Sequence, residues 1–378
     1  MRVITRHLAK EILVSTAFIL ISLVLFIAFF DLVGQAKNIG SRYNFGMALF
    51  LTALKLPSRL YEVMPIAALL GGVYTLSRWA SNSEFTILRV AGLSPLRLAA
   101  MLMVPAVVLI AMTYALGEWV TPAADKMRGE MRTILFNSTL TARGYASGVW
   151  AKDTVHDGQA GEVTMRFVNV HNLIAGENSR TGAWRVFEFN DKGDLVRILH
   201  APEANYIPRS GWHLKDATVE TLPRVTRDEN PMVEASSYKK GVDLLLPSEM
   251  RPDILGVLTI KPERMGIAEL WSYIGHLKQT RQTTERYEVA LWTKIFYPIA
   301  IFVMLAVAMP FAYLNVRSGG VSIRIFVGLM IGISFYALNN IFAFMGILNT
   351  WPAMVVAPLP SLIMLVLAAA AMWIVERR

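Results

Sequence analysis

Long blocks of apolar residues alternate with polar breaks along this chain. Residues 12–30, 60–79, 96–119, 295–314, 323–345 and 354–375 each approach the ~20 apolar positions that carry a helix across a bilayer. They predict a polytopic α-helical membrane protein with six transmembrane helices, three before a long polar insertion and three after it. Lys55, Arg59 and Glu62 interrupt the apolar residues of 45–79, and each would cost ~2.5–3.5 kcal/mol at a bilayer centre. A short interfacial helix over 45–56, a break near Pro57 and a span starting at 60 follow from that cost. Arg59 and Glu62 then read as snorkelling anchors at the membrane boundary. Residues 1–11 mix Arg2, Arg6, Lys10 and Glu11 with Val3, Ile4 and Leu8, the pattern of a short amphipathic surface helix ahead of the first span. Trp79, Trp119, Trp292, Trp351 and Trp373 fall at span ends, as in an aromatic belt.

The insertion changes period. Residues 123–142 continue helically from the third span, and strands follow from Gly148: 163–170, 184–189 and 213–222 alternate apolar and polar positions. Asn190-Asp191-Lys192-Gly193 is a hairpin signal. Short strands with regular turns predict an antiparallel sandwich or open barrel. Helix returns over 262–291, with Leu270, Tyr273, Ile274 and Leu277 on one stripe. The chain thus divides into a membrane half over 1–119, a β domain with helical stalks over 120–291, and a second membrane half over 292–378.

The loop over 77–95 carries its own helix signal. Ser or Asn at 81–83 offers an N-cap, Glu84 suits the dipole of a first turn, and Phe85 and Leu88, with Ile87 as a further candidate, recur at helical spacing. Gly92 is a stop and Pro95 cannot continue the helix. Two readings stand. One is a membrane-surface loop helix. The other is a coupling helix over 82–92, a rigid knob that a soluble motor grips through Ser83, Glu84, Phe85, Leu88, Arg89 and Gly92.

Composition narrows the function. The chain is 54% hydrophobic with net charge +9, and its mean hydropathy is +0.43. Its basic residues gather at span ends and in the polar domain, which favours anionic lipid over nucleic acid as the partner. Ten of those near the spans lie on one side, at the N-terminus, the 77–97 loop, the 315–324 loop and the C-terminus, against four in the short loops opposite. That asymmetry places both termini in the cytoplasm and the insertion outside. The absence of cysteine excludes disulfides and thiol chemistry. No Gly-Lys dipeptide occurs, so the chain has no P-loop and ATP hydrolysis falls to another subunit. The histidines form no H-E-x-x-H, and no G-x-S-x-G elbow is present. The spans are nearly free of ionisable groups, which disfavours an ion-driven carrier. Asn339 and Asn340 read as interhelical hydrogen-bonding groups. Lys37, Arg42, Lys55 and Arg59, with Lys126, Arg128 and Arg132 past the third span, form a basic collar. It is either a solvated, lipid-facing rim or a ring that receives the phosphates of an acidic lipid.

Several stretches together resemble the LptF/LptG family, the permease subunits of the lipopolysaccharide-transport ABC exporter. They are Met64-Pro65-Ile66-Ala67-Ala68-Leu69-Leu70-Gly71, the Ser83-Glu84…Ala91-Gly92 loop, Gly117-Glu118-Trp119-Val120-x-Pro122, Gly148-Val149-Trp150-Ala151-Lys152-Asp153, and Arg286-Tyr287…Trp292-x-Lys294-Ile295-Phe296-x-Pro298. The Trp-Ala-Lys-Asp and Lys-Ile-Phe-x-Pro matches favour the LptG branch. The resemblance runs essentially end to end and is weakest in the strands. It implies six spans with an inserted periplasmic antiparallel β-jellyroll. It implies an LptF-type permease, an LptB-type ATPase dimer, an LptC-type single-span jellyroll protein and an LptA-type periplasmic bridge as partners, in the inner membrane of a Gram-negative bacterium. The substrate implied is lipopolysaccharide. No cofactor is implied in this chain, since ATP and Mg belong to the partner ATPase. Glu84 falls at the acidic position of the family's coupling helix, and Lys37 and Arg132 match basic residues that meet lipid phosphates. Asp31 stands where the family has a further Lys, and Asn38 follows Lys37 in place of a second Lys. Phosphate contacts would then shift to Arg128, Arg42 or Lys55. Phe26, Phe29 and Phe30 would line the apolar cavity wall. Rival readings are a mechanotransmitting ABC membrane subunit that moves no lipid, and a membrane-anchored periplasmic enzyme, for which 120–291 offers no catalytic constellation.

Overall fold

The computed structural model describes residues 2–37, 39–40, 43–136, 149–154, 165–173, 180–208, 210–222, 236–248, 250, 262–279, 282–313, 320–348 and 351–377. The chain divides into two compact units. A helical unit comprises Met1–Arg128, Pro262–Ile274 and Thr283–Arg378, and a β unit comprises Gly129–Lys261 and Gly275–Gln282.

Helix α1 runs unbroken over Arg2–Ala36. The separate surface helix expected over 1–11 is its first three turns. No Gly or Pro interrupts the chain before Gly34, so nothing stops the helix at the membrane face. Its length, about 52 Å at 1.5 Å per residue, exceeds a ~30 Å hydrocarbon core. Helices α2 (Phe45–Ala53) and α3 (Leu56–Ser81) follow, separated by Leu54 and Lys55, with Pro57 in the first turn of α3 as predicted. Helix α4 (Glu84–Val90) sits in the short loop before α5 (Pro95–Ala115). A single π turn, Leu116–Val120, joins α5 to α6 (Thr121–Phe136), which carries the helix beyond the third span as expected.

Helix α3 is the axis of the helical unit. Gly71 faces α1 so closely that a Cβ there would meet the Thr16 backbone N and Cα at 2.8 Å. Small residues are what allow helices to approach this near in a membrane, where no hydrophobic force drives association.

After the insertion come α7 (Ile267–Gln279), α8 (Glu285–Phe296), α9 (Ala300–Ala308) and α10 (Pro310–Tyr313). Leu270, Tyr273, Ile274 and Leu277 of α7 are all buried, as their stripe predicts. The fourth span, expected as one helix over 295–314, is broken: α8 and α9–α10 meet at a 50° bend. Pro298 has no N–H and its ring displaces the carbonyl one turn back. The backbone there switches to three-residue hydrogen bonds, Ile299 to Phe296, Ala300 to Tyr297 and Ile301 to Pro298. Helix α11 (Val321–Leu348), the short α12 (Ala353–Val356) and α13 (Leu359–Glu376) complete the unit. On α11, Gly328 faces Leu70 and Val73 of α3 and Gly332 faces Ile66, with would-be Cβ contacts of 3.3 and 3.0 Å. Asn339 and Asn340 bond within their own helix, donating to the Phe335 and Tyr336 carbonyls at 2.9 and 3.0 Å. Their side chains reach one turn back before they reach a neighbour. Five helices among the described residues are long and apolar enough to span a membrane, six if the bent pair counts as one span.

Trp79 departs from the aromatic belt. It is buried, stacks with His7 and donates to Glu11, which also pairs with Arg78. Trp119, Trp351 and Trp373 remain exposed at helix ends.

In the β unit, β1 (Val149–Thr154), β2 (Met165–Leu173), β3 (Arg180–Phe189), β4 (Leu195–Ile207), β5 (Gly211–Thr221) and β6 (Ser237–Leu246) form one antiparallel sheet. The described strands run as an up-and-down meander, each paired with its sequence neighbours. The β3–β4 hairpin turns where predicted, with Gly193 at φ +83° and Asn190 donating to the Asp194 carbonyl at 3.0 Å. One face carries Val168, Val170, Trp184, Val186, Leu199 and Trp212, all buried. Trp184 and Trp212 lie 4.7 Å apart between ring centroids, and the Trp212 indole donates to the Met250 carbonyl at 2.7 Å. The same face carries a row of charges in register: Asp153 opposite Arg166, Arg166 opposite Glu188, Glu188 opposite Arg197. Arg166 and Glu188 are only 2% and 1% exposed and meet at 2.7 Å. Arg166 also donates to the Pro247 carbonyl, and Arg197 meets the other Glu188 oxygen, each at 2.7 Å.

Candidate functional site: the loop helix and the charged rim

Helix α4 is short, and its ends are fixed by the backbone. Ser83 precedes it at φ +64° without bonding through its side chain, so the anticipated side-chain N-cap is replaced by a strained left-handed residue. Glu84 is exposed in the first turn, next to the positive end of the helix dipole, and accepts from Asn82 at 3.3 Å. The C-terminal end is a Schellman motif: Leu93 N–H reaches the Leu88 carbonyl and Gly92 N–H the Arg89 carbonyl, both at 3.0 Å. That motif needs a left-handed residue, and Gly92 supplies it at φ +87°. Ser94 then caps α5, accepting from the Arg97 N–H at 3.3 Å, while Arg97 donates to the Gly92 carbonyl at 3.1 Å.

The two faces of α4 have different work. Phe85 is 2% exposed and points edge-on at Tyr313, ring centroids 4.8 Å apart. The Arg89 guanidinium lies over the same ring at 5.1 Å, a cation–π contact. Leu88 is half-buried and lines a small apolar pocket with Ile4, Ala91, Leu93 and Met101. These residues anchor the knob. The face turned outward carries Glu84 with Ile87 and Val90, which are 68% and 87% exposed. Ile87, a candidate for the apolar stripe, instead faces outward because two residues turn the helix about 200° from Phe85, and Val90 is the residue that sequence reasoning assigned no role. Their spacing of three, on the side opposite Phe85, was the available signal.

The charged rim resolves into pairs. Asp31 of α1 receives Lys55 at 3.0 Å and Arg59 at 3.1 Å, and Arg59 also holds Glu62 at 2.7 Å. The four charges sum to zero. Lys55 and Arg59 therefore do not reach for water as isolated snorkelling anchors, because a carboxylate on the neighbouring span meets them first. Arg128 is paired with Asp125 at 3.1 Å, and Asp125 also accepts from Ser58 at 3.0 Å. Lys37 and Lys126 are exposed, and no ion pair among the described residues engages them. Arg42 lies outside the described residues; Arg132 belongs to α6 with its side chain undescribed. Phe26, Phe29 and Phe30 project from α1, more than half exposed, with Phe26 and Phe30 edge-to-face at 5.0 Å.

A third cluster was visible in sequence only as motif residues. Glu118, in the π turn, accepts from the Ile267 and Ala268 N–H groups at 2.8 and 3.4 Å, capping the start of α7 from another helix. Lys294 of α8 donates to the Met265 carbonyl. Gly117 is required by a close approach: a Cβ there would meet the Tyr61 ring at 2.7 Å. Tyr61 packs on Tyr297, whose hydroxyl donates to the Glu62 carbonyl at 2.6 Å beside the bend in the fourth span.

The motif stretches of the helical unit therefore fall at helix contacts and joints, while Val149–Asp153 of the remaining stretch belongs to β1. The sequence profile described as Lipopolysaccharide export system permease LptF/LptG matches residues 6–374. The chain belongs to the LptF/LptG permease family. It is 28% identical over 377 residues to the Lipopolysaccharide export system permease protein LptG of Haemophilus influenzae, covering 99% of this chain and 98% of that protein. It is 28% identical over 364 residues to the protein of the same name from Escherichia coli K12, covering 95% and 94%. As an LptF/LptG family member the chain is a multi-pass membrane protein with a β domain inserted between its helices. Among the described residues no group of three or more His, Asp or Glu side chains is arranged to hold a metal.

Proposed function

We propose that this chain is the transmembrane permease subunit of an ABC exporter that takes lipopolysaccharide from the outer leaflet of the inner membrane. It passes the lipid through its periplasmic β domain toward an LptA-type bridge. Helix α4 carries the reading: a knob fixed at both ends by backbone geometry, with Phe85 and Arg89 holding it to Tyr313 and with Glu84, Ile87 and Val90 left outward. A groove on an LptB-type ATPase is the natural recipient of that face, an acid flanked by two apolar side chains. ATP and Mg belong to that partner. An LptF-type permease completes the cavity, an LptC-type protein joins it, and both termini of this chain face the cytoplasm. ATPase closure pushes α4, and the push biases the cavity between two states. The exposed Phe26, Phe29 and Phe30 suit acyl chains, and the exposed Lys37 and Lys126, with Arg132, suit phosphates.

Glu84→Arg is expected to leave the complex assembled, abolish export and release ATPase activity from substrate control. Transport in proteoliposomes alongside ATP hydrolysis checks this, and normal transport by the variant sinks the coupling role of α4. Asp31→Asn is expected to raise the amount of lipopolysaccharide crosslinked at the rim, because Lys55 and Arg59 lose their internal counter-ion. Charge reversal at Lys37 and Arg132 is expected to lower it. Unchanged crosslinking in both directions removes the rim from the substrate path. Affinity purification from native membranes, with mass spectrometry of proteins and lipids, tests the whole reading. An ATPase without lipopolysaccharide would instead support a mechanotransmitting subunit.

A further inference from the structure

Three cations at the start of α1 take no part in the loop-helix or rim contacts described above. Arg2, Arg6 and Lys10 are spaced four apart, so they lie one above another on one face of the helix. All three are exposed, and no ion pair among the described residues engages them. The one acid nearby on α1, Glu11, is committed to Arg78, Trp79 and His7.

Beside this stripe lies an open groove of about 380 Å³, lined by Arg2, Thr5, Arg6, Ala9 and Val104. It is cationic along one wall and apolar on the other, where α5 passes. Along α5 the apolar surface continues away from the arginines through Val107, Val108 and Met112, each 43–57% exposed. The opposite face of the same helical turns, Ile4 and Leu8, packs into the bundle, and Ile4 shares a pocket with Leu88 and Leu93 at the end of α4.

We infer that this groove binds an anionic glycerophospholipid of the leaflet bordering α4, with the headgroup phosphate between Arg2 and Arg6 and an acyl chain along α5. The charge selects the headgroup, since guanidinium donors match phosphate oxygens in paired geometry. The apolar track selects a lipid over a free anion. Lys10, one turn closer to the apolar run of α1, adds attraction for negative surface charge. This site is separate from the rim at Asp31, which lies about 25–29 residues along the same helix, about 38–44 Å at 1.5 Å per residue. A bound lipid would brace the turn of α1 against which the end of α4 rests, so the lipid composition of that leaflet would tune the loop.

The test uses the full-length protein, delipidated in mild detergent and exchanged into nanodiscs of phosphatidylcholine containing either phosphatidylglycerol or phosphatidylethanolamine. Lipids retained after re-extraction are counted by native mass spectrometry. The wild type is expected to retain phosphatidylglycerol selectively. Arg2→Gln, Arg6→Gln and Lys10→Gln are expected to lower that retention about fivefold per basic residue removed, leaving phosphatidylcholine retention unchanged. Arg2→Lys with Arg6→Lys should keep most of it, and Val104→Asp should lose it with every cation in place. Inorganic phosphate should not displace the lipid; displacement would make this a free-anion site and overturn the inference. Equal retention by wild type and the triple glutamine variant would overturn it too. So would photocrosslinking from position 6 to an acidic segment of a partner protein with no lipid recovered. Every variant keeps Glu84, Lys37 and Asp31, so loss of export through those residues fails independently of this site.

Discussion

Glu188→Ala is expected to cost the β unit about 3–5 kcal/mol, because it leaves the buried Arg166 without its carboxylate partner. Glu188 sits between Arg166 and Arg197 in register on β2, β3 and β4, and it touches both at 2.7 Å. Arg166 is nearly sealed from water, so it cannot recover its hydration when the carboxylate goes. The Pro247 carbonyl, which Arg166 also reaches, offers a dipole and no charge. Thermal unfolding of the full-length protein in detergent should show the β unit melting roughly 10 °C lower or more. Limited proteolysis should open the sheet at temperatures where the helices hold. Glu188→Gln should lose less, since the amide oxygen still accepts. Replacing Arg166 and Glu188 together by Met and Leu should recover most of the loss, because a well-packed apolar pair often matches a buried ion pair. A wild-type melting profile for Glu188→Ala would mean that the arginines find other anions, and the row of charges would lose its structural role.

Gly71→Val is expected to be worse, and to act on the helical unit. The first carbon of any side chain at 71 would stand 2.8 Å from the Thr16 N and Cα of α1. Those are backbone atoms of a helix interior, and no rotamer change moves them. Overpacking in a protein core costs ~1–3 kcal/mol where side chains can yield, and more where they cannot. The expected result is loss of monodisperse protein after solubilisation, with α1 displaced from α3. Gly34→Ala is the matched control. Nothing lies within 4 Å of a Cβ at Gly34, and alanine should favour the helix by ~0.5–1 kcal/mol. Fluorescence-detected size-exclusion profiles of the two variants, side by side, separate steric conflict at the α1–α3 contact from a general intolerance of glycine replacement in these two helices. A monodisperse Gly71→Val protein with wild-type melting would refute the close packing of α1 on α3.

The membrane elements were legible because bilayer crossing imposes a length and an apolar content on each one. The loop helix was legible because its stop is local: Gly92 alone provides the left-handed residue that the Schellman bonds need. The hairpin at Asn190–Gly193 was local in the same way. What escaped were features decided by residues far apart in the chain. Periodicity placed Phe85 and Leu88 on an apolar face, but it could not tell that Tyr313 takes up that face and leaves Ile87 and Val90 outward. Arg59 read as a snorkelling anchor because its counter-ion, Asp31, lies on another helix. Trp79 read as an interface residue because Glu11 and His7, which draw it inward, are likewise remote. Pro298 was within a recognised motif, yet the contact beside its bend, from the Tyr297 hydroxyl to the Glu62 carbonyl, joins residues far apart in the chain. Site chemistry was therefore legible by residue type and position, while its pairing was not.

Phe85 and Arg89 both spend their contact on one ring, that of Tyr313. A lineage that loses the aromatic ring at 313 loses the edge-on partner of one residue and the cation's seat under the other in a single step. Drift at this position should therefore be rare on its own and should travel with changes at 85 and 89. Among relatives whose loop helix is held in some other way, all three positions should differ together, and an alignment deep enough to count such pairs would record the history of this joint.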